Sequence, residues 1–112
     1  MKTTPRTQRI VECVASRFQI PVERVLSAEK TKSVALARML CVYIMRQHGR
    51  PSLSYPELGR EFGIDPATAR NACLVCAVEV SKDPWLRGVV DAAARTGGHA
   101  EFDRELGGAA AE

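Results

Sequence analysis

The fold turns on how one stretch is read: Ser54-Tyr55-Pro56-Glu57-Leu58-Gly59-Arg60-Glu61-Phe62-Gly63-Ile64-Asp65-Pro66-Ala67-Thr68-Ala69-Arg70-Asn71-Ala72-Cys73. Ser54 and Glu57 stand in S-x-x-E spacing, in which serine and glutamate reciprocally satisfy free amides of a first helical turn. A helix therefore starts at this serine. Leu58 and Phe62 give it one apolar face, and Gly63 ends it with the left-handed backbone that glycine tolerates best. Asp65-Pro66 places a capping residue before a proline at the first helical position, so a second helix follows at once and runs to about Ser81. Each remaining position has a steric duty. Gly59 lets the second helix come close, Ile64 plugs the corner, and Ala69 and Ala72 face back across the junction. This is the spacing of a helix-turn-helix, whose second helix would be offered to a DNA major groove; the competing reading is an ordinary helical corner in an interaction domain.

Working outward, Thr4-Pro5 repeats the cap-and-proline signal, and Ile10, Val11, Val14 and Phe18 carry a first helix to about Phe18 before Ile20-Pro21 breaks it. Val22 to Leu26 has room for a short helix, and Ser27 to Thr31 connects it to the longest one, Lys32 to about His48. Eleven of the twelve residues from Val34 to Met45 are apolar, so this helix is central and buried. After Gly49-Arg50-Pro51 and the helix-turn-helix, Asp83-Pro84 starts a last helix to about Arg95, with Trp85, Val89, Ala92 and Ala93 on one face. The expectation is an all-α domain over residues 4–95, followed by a flexible, acidic, Gly-Gly-containing tail over 96–112. At 112 residues, 46% hydrophobic and 26% charged, the chain has length for one core and not two.

Candidate functional residues follow from this layout. On the second helix of the motif, Thr68, Arg70 and Asn71 occupy exposed early positions; arginine pairs bidentately with guanine and asparagine with adenine, while a threonine hydroxyl reaches base or phosphate. The bland alternatives are a first-turn capping aid for Thr68 and solvated polar surface for Arg70 and Asn71. Arg38 is the one charge in the apolar run of the long helix and must find solvent, a carboxylate or a ligand phosphate. Leu74, Val75 and Val78 add a second apolar face to the recognition helix, to be covered either by the final helix with Trp85 or by a partner.

Charge is segregated along the chain. Up to Arg70 there are 12 Lys and Arg against 6 Asp and Glu, and beyond it 4 against 7. The basic part points to a polyanion, with solvated surface as the bland alternative. Within residues 28–32, Glu29 is expected to cancel one of the two lysines. Cys13, Cys41, Cys73 and Cys76 suit a reducing compartment, and the Cys73-x-x-Cys76 pair falls with Ala69, Ala72, Ala77 and Val80 on one apolar stripe, which favours core packing over metal or redox work.

Several segments together resemble a known family: Ile10-Val11-Glu12-Cys13-Val14-Ala15-Ser16-Arg17-Phe18, Val22 to Ser27, Ala35-Leu36-Ala37-Arg38 with Tyr43, and above all Pro56-Glu57-Leu58-Gly59-Arg60-Glu61-Phe62-Gly63. They are similar to the carboxy-terminal DNA-binding domain of the bacterial replication initiators of the DnaA family, over about residues 8 to 80. The resemblance implies a six-helix, Trp-repressor-like bundle in which a basic loop and the recognition helix both hold DNA. It also implies that Lys30 and Lys32 match the basic loop and Arg38 the arginine of an Arg-Gln pair. Asp65 and Thr68 match two positions of an Arg-Asp-His-Thr-Thr signature. Ile64, Pro66 and Ala67 replace the rest of that signature, Met39 replaces the glutamine, and Ala28 and Glu29 dilute the loop, so most groups that read the family's usual origin box are missing. The nucleotide-hydrolysing region has no counterpart, since no G-x-x-x-x-G-K-[ST] loop occurs here.

The expected function is sequence-specific binding of double-stranded DNA, regulating transcription or replication initiation, by Lys30, Lys32, Arg38, Asp65, Thr68, Arg70 and Asn71. No catalysis, cofactor, metal or ATP is expected, and the site of action would be the bacterial cytoplasm, at the nucleoid and away from membranes. The alternative is a module that has lost DNA reading and binds a protein partner, or a second copy, through Leu74, Val75 and Val78.

Overall fold

Prolines set most of the helix starts. Pro5, Pro56, Pro66 and Pro84 each sit in the first turn of a helix, where the missing N–H removes no intrahelical hydrogen bond. A computed structural model describes residues 4–49 and 52–95. Among them the chain forms six helices: α1 Pro5–Phe18, α2 Val22–Val25, α3 Lys32–His48, α4 Tyr55–Phe62, α5 Pro66–Lys82 and α6 Pro84–Ala93. The tail expected over 96–112 lies outside the described residues.

Most of the caps follow the sequence. The Thr7 amide donates to Thr4 Oγ1 at 3.3 Å. The Trp85 and Leu86 amides donate to Asp83 Oδ1 at 2.9 and 3.4 Å. Both arms of the capping box are made, Ser54 N–H to Glu57 Oε1 at 2.8 Å and Glu57 N–H to Ser54 Oγ at 3.3 Å. Asp65 has the extended backbone of a cap but makes no capping bond with its side chain. The stop of α1 comes one residue before Ile20-Pro21: Gln19 adopts the left-handed conformation, φ 57°, and its amide closes onto the carbonyls of Ala15 and Ser16.

The core is organised on α3, which touches every other helix. Its buried side chains are Val34, Ala37, Leu40, Cys41, Val42, Ile44 and Met45. Against them α1 places Ile10, Val11 and Val14, and α5 its stripe of Ala69, Ala72, Cys73, Cys76 and Val80, while Ala77 of the expected stripe turns outward and is exposed. The thiols of Cys41, Cys73 and Cys76 are thus core groups. Burial pushes all three above the ordinary thiol range, Cys76 to about 12.

The α4–α5 corner is as tight as its residues require. A Cβ built on Gly59 would stand 2.4 Å from the carbonyl oxygen of Ile64, whose own amide donates to Gly59 O at 2.9 Å. Gly63 turns the chain with φ 68°.

One part of the expected packing is corrected. The buried face of α6 is Leu86, Val89, Val90 and Ala93, while Trp85 is 51% exposed and sets its ring edge against Phe18 of α1, centroids 5.2 Å apart. Trp85 therefore does not cover α5. Leu74, Val75 and Val78 remain 53%, 36% and 51% exposed. Docking of α6 on α1 as well as α5 takes the indole to α1.

Candidate nucleic-acid interface

The site begins with an unsatisfied helix end. α2 is four residues long and stops at Val25, so its last carbonyls point out of the helix with a partial negative charge. Arg38 Nε donates to the Val25 carbonyl at 2.8 Å, and Nη2 to the Glu29 carbonyl at 2.8 Å. The one charge in the apolar run of α3 is thus held by backbone oxygens. Burial lowers its pKa from the ordinary guanidinium value, and the nearby Glu29 carboxylate offsets that.

Glu29 has its own partners. Arg24 Nε donates to Oε1 at 2.9 Å, Arg24 Nη2 donates to Oε2, and the Thr31 hydroxyl donates to Oε2 at 2.6 Å. The Glu29 amide donates to Ser27 Oγ at 3.1 Å, and that hydroxyl donates to the Arg24 carbonyl at 2.6 Å. The expectation that Glu29 cancels a lysine is therefore corrected: its carboxylate is engaged by Arg24 and Thr31. Opposite charges five apart do not share a helix face, so the sequence carries no direct signal for this pairing.

These bonds have an acid signature. The hydrogen bond from Arg24 holds Glu29 down to about 2 from 4.5, and the Ser54 amide holds Glu57 below its usual value. Folded carboxylates with depressed pKa values stabilise above the unfolded value and lose that stabilisation as pH falls through the folded one. Melting temperature should fall between about pH 4.5 and 2, and Glu29→Gln with Glu57→Gln should flatten that part of the profile in thermal melts at graded pH. An unchanged profile would contradict the assignment.

A groove opens beside this loop. Lys30 and Arg38 line it with Ser27 and Ala28, across from Gly63, Ile64 and Thr68 at the start of α5, and it encloses about 460 Å³. A pocket of about 260 Å³ has Ala35, Met39, Val42, Ile64 and Ala72 in its lining, again with Lys30, Arg38 and Thr68. The chemistry is two cations and a hydroxyl beside an apolar floor.

The structure thus brings together Lys30, Arg38 and Thr68. Lys32, the first residue of α3, is exposed but does not line the groove. Asp65 lies on the other side of the turn, in a cleft of about 590 Å³ shared with Arg60, Gly63 and Ile64. Arg70 and Asn71 are exposed on α5 outside both clefts. Arg60 went unremarked in the sequence; a cation directly after Gly59, at the open end of a helix-turn-helix, was the available signal.

Comparison with known proteins agrees with this fold. The family model described as "Bacterial dnaA protein helix-turn-helix" matches residues 7–75. Relatives named chromosomal replication initiator protein DnaA include those of Synechocystis sp., 37% identical over 73 residues, and Trichormus variabilis, 34% identical over 86 residues. The first match covers 64% of this chain and 16% of the relative, the second 76% and 18%. The same-named protein of Thermoanaerobacter pseudethanolicus is 31% identical over 86 residues, 76% of this chain and 19% of the relative. The chain therefore spans less than a fifth of the length of these relatives. With the α4–α5 corner, the six-helix order and the family match over residues 7–75 in agreement, the chain belongs to the bacterial DnaA helix-turn-helix family.

Proposed function

We propose that this domain binds double-stranded DNA sequence-specifically and acts in the control of replication initiation or transcription. The observation that carries the reading is the convergence of Lys30, Arg38 and Thr68, from a loop, a central helix and the recognition helix, on one groove. In this reading Lys30, Lys32 and Arg38 hold phosphates, and Thr68, Arg70 and Asn71 face base edges, with Asp65 at the head of the helix. Met39 and Ile64 put apolar surface in the smaller pocket that shares Lys30, Arg38 and Thr68 with the groove, which suits a thymine methyl better than a polar base edge. The role is binding, at the nucleoid, without ATP.

Titration of a labelled duplex against salt tests it. With about four to six phosphates neutralised, log affinity falls against log salt at about −0.9 per phosphate. Salt-independent binding, or none at low salt, would overturn the reading.

A second reading, association with a protein partner or a second copy, is favoured by the apolar face of Leu74, Val75 and Val78, since clustered exposed apolar side chains mark interaction surfaces. Leu74→Asp should then abolish self-association in sedimentation while leaving the melting temperature within a few degrees. A strictly monomeric wild type at high concentration would remove the second-copy form of this reading.

A further inference from the structure

The loop over residues 26–31 carries Lys30, and nothing in its composition makes it rigid. Its order comes from side chains. Arg24 reaches forward from α2 to hold both oxygens of Glu29, Thr31 donates to one of those oxygens, Ser27 bridges the Arg24 carbonyl to the Glu29 amide, and Arg38 fastens the Glu29 carbonyl from α3. Glu29 is thus bound through its carboxylate, its amide and its carbonyl, on the residue immediately before Lys30. We propose that Arg24 and Glu29 are positioning residues: their ion pair presets the loop so that Lys30 meets the phosphate backbone in one geometry.

The inference rests on the proposed DNA binding and makes a statement that simple electrostatics contradicts. A carboxylate beside a phosphate-binding lysine repels the ligand, so on charge alone removing it tightens binding. If instead the carboxylate holds the loop, its removal lets the loop sample other conformations, and apparent affinity falls in proportion to the competent fraction. The two effects have opposite signs. Charge placement argues for the second: Arg24 already neutralises Glu29 at bonding distance, which leaves little repulsion to relieve. Among the described residues the further charge that acts on this carboxylate is Arg38, one helix away, whose guanidinium lies close enough to favour its ionised form.

The test uses the whole chain and a labelled duplex chosen by selection from a random pool. Glu29→Gln and Arg24→Gln should each weaken binding about three- to tenfold at fixed low salt. The double variant should be no weaker than the poorer single one, because either change alone already frees the loop. Amide hydrogen exchange at residues 27–31 of the free protein should speed up in all three, with melting temperatures shifted by no more than a few degrees. Unchanged or tighter binding by Glu29→Gln, or strictly additive losses in the double variant, would overturn the inference while leaving the proposed function intact. A wild type that binds no duplex at low salt would overturn both.

Discussion

Gly59→Ala is expected to destabilise the domain by about 3 kcal/mol, the upper part of the range for forced overpacking. The added methyl would lie 2.4 Å from the Ile64 carbonyl, a backbone atom that cannot rotate away. Relief requires the Gly63-Ile64-Asp65 turn to move, which breaks the Ile64-to-Gly59 hydrogen bond and lifts α5 from α4. For a small domain of ordinary stability that is a large fraction of the total. Gly88 provides the control: it lies within α6 with nothing within 4 Å of an added Cβ, so Gly88→Ala should stabilise by about 0.5–1 kcal/mol through helix propensity. Urea unfolding of the two variants measures both. A loss below about 1 kcal/mol for Gly59→Ala would mean that the corner is looser than described.

Arg38→Ala is expected to weaken duplex binding about 10- to 100-fold, equivalent to about 1.4–2.8 kcal/mol. It removes a cation from the groove and releases the carbonyls of Val25 and Glu29, so the loop carrying Lys30 loses its attachment to α3. The fold should survive with a loss of about 1.5–3 kcal/mol, the scale of hydrogen bonds from a charged donor. Arg38→Lys should recover little, because one ammonium lacks the rigid fork that reaches two carbonyls at once. Binding titrations beside thermal melts separate the contributions, and a variant that binds like wild type would remove Arg38 from the interface.

The sequence was most informative where a residue type has a single steric solution. Gly59, Gly63, the Ser54-Glu57 box and the prolines of the first turns leave few alternatives, and the corner they specify is the one observed. The central position of α3 was equally readable from its near-continuous apolar run. Side-chain pairing across the loop was not. Arg24 and Glu29 are close because a four-residue helix turns the chain back on itself, and pattern along the chain does not report that. Arg38 illustrates the same limit: its charge required a partner, but the partners are main-chain oxygens at the end of another helix, invisible to a count of acids and bases. Trp85 failed in the other direction, because proximity in sequence to Leu74 and Val78 said nothing about which neighbour the indole would choose. The basic excess is likewise only partly available to a polyanion. Arg24 is paired with Glu29, and Arg46 stacks 4.4 Å over Tyr55 while donating to the Leu53 carbonyl.

The central claim is that one face, made by residues 27–38 and the first turns of α5, receives duplex DNA. Backbone amide shifts of the labelled protein, followed as a selected duplex is added at low salt, test it most directly. Perturbations should concentrate at Ser27 to Lys32, Arg38 and Ile64 to Asn71, and fade as salt is raised. Perturbations centred instead on Leu74, Val78 and Trp85, or none at all at low salt, would contradict it.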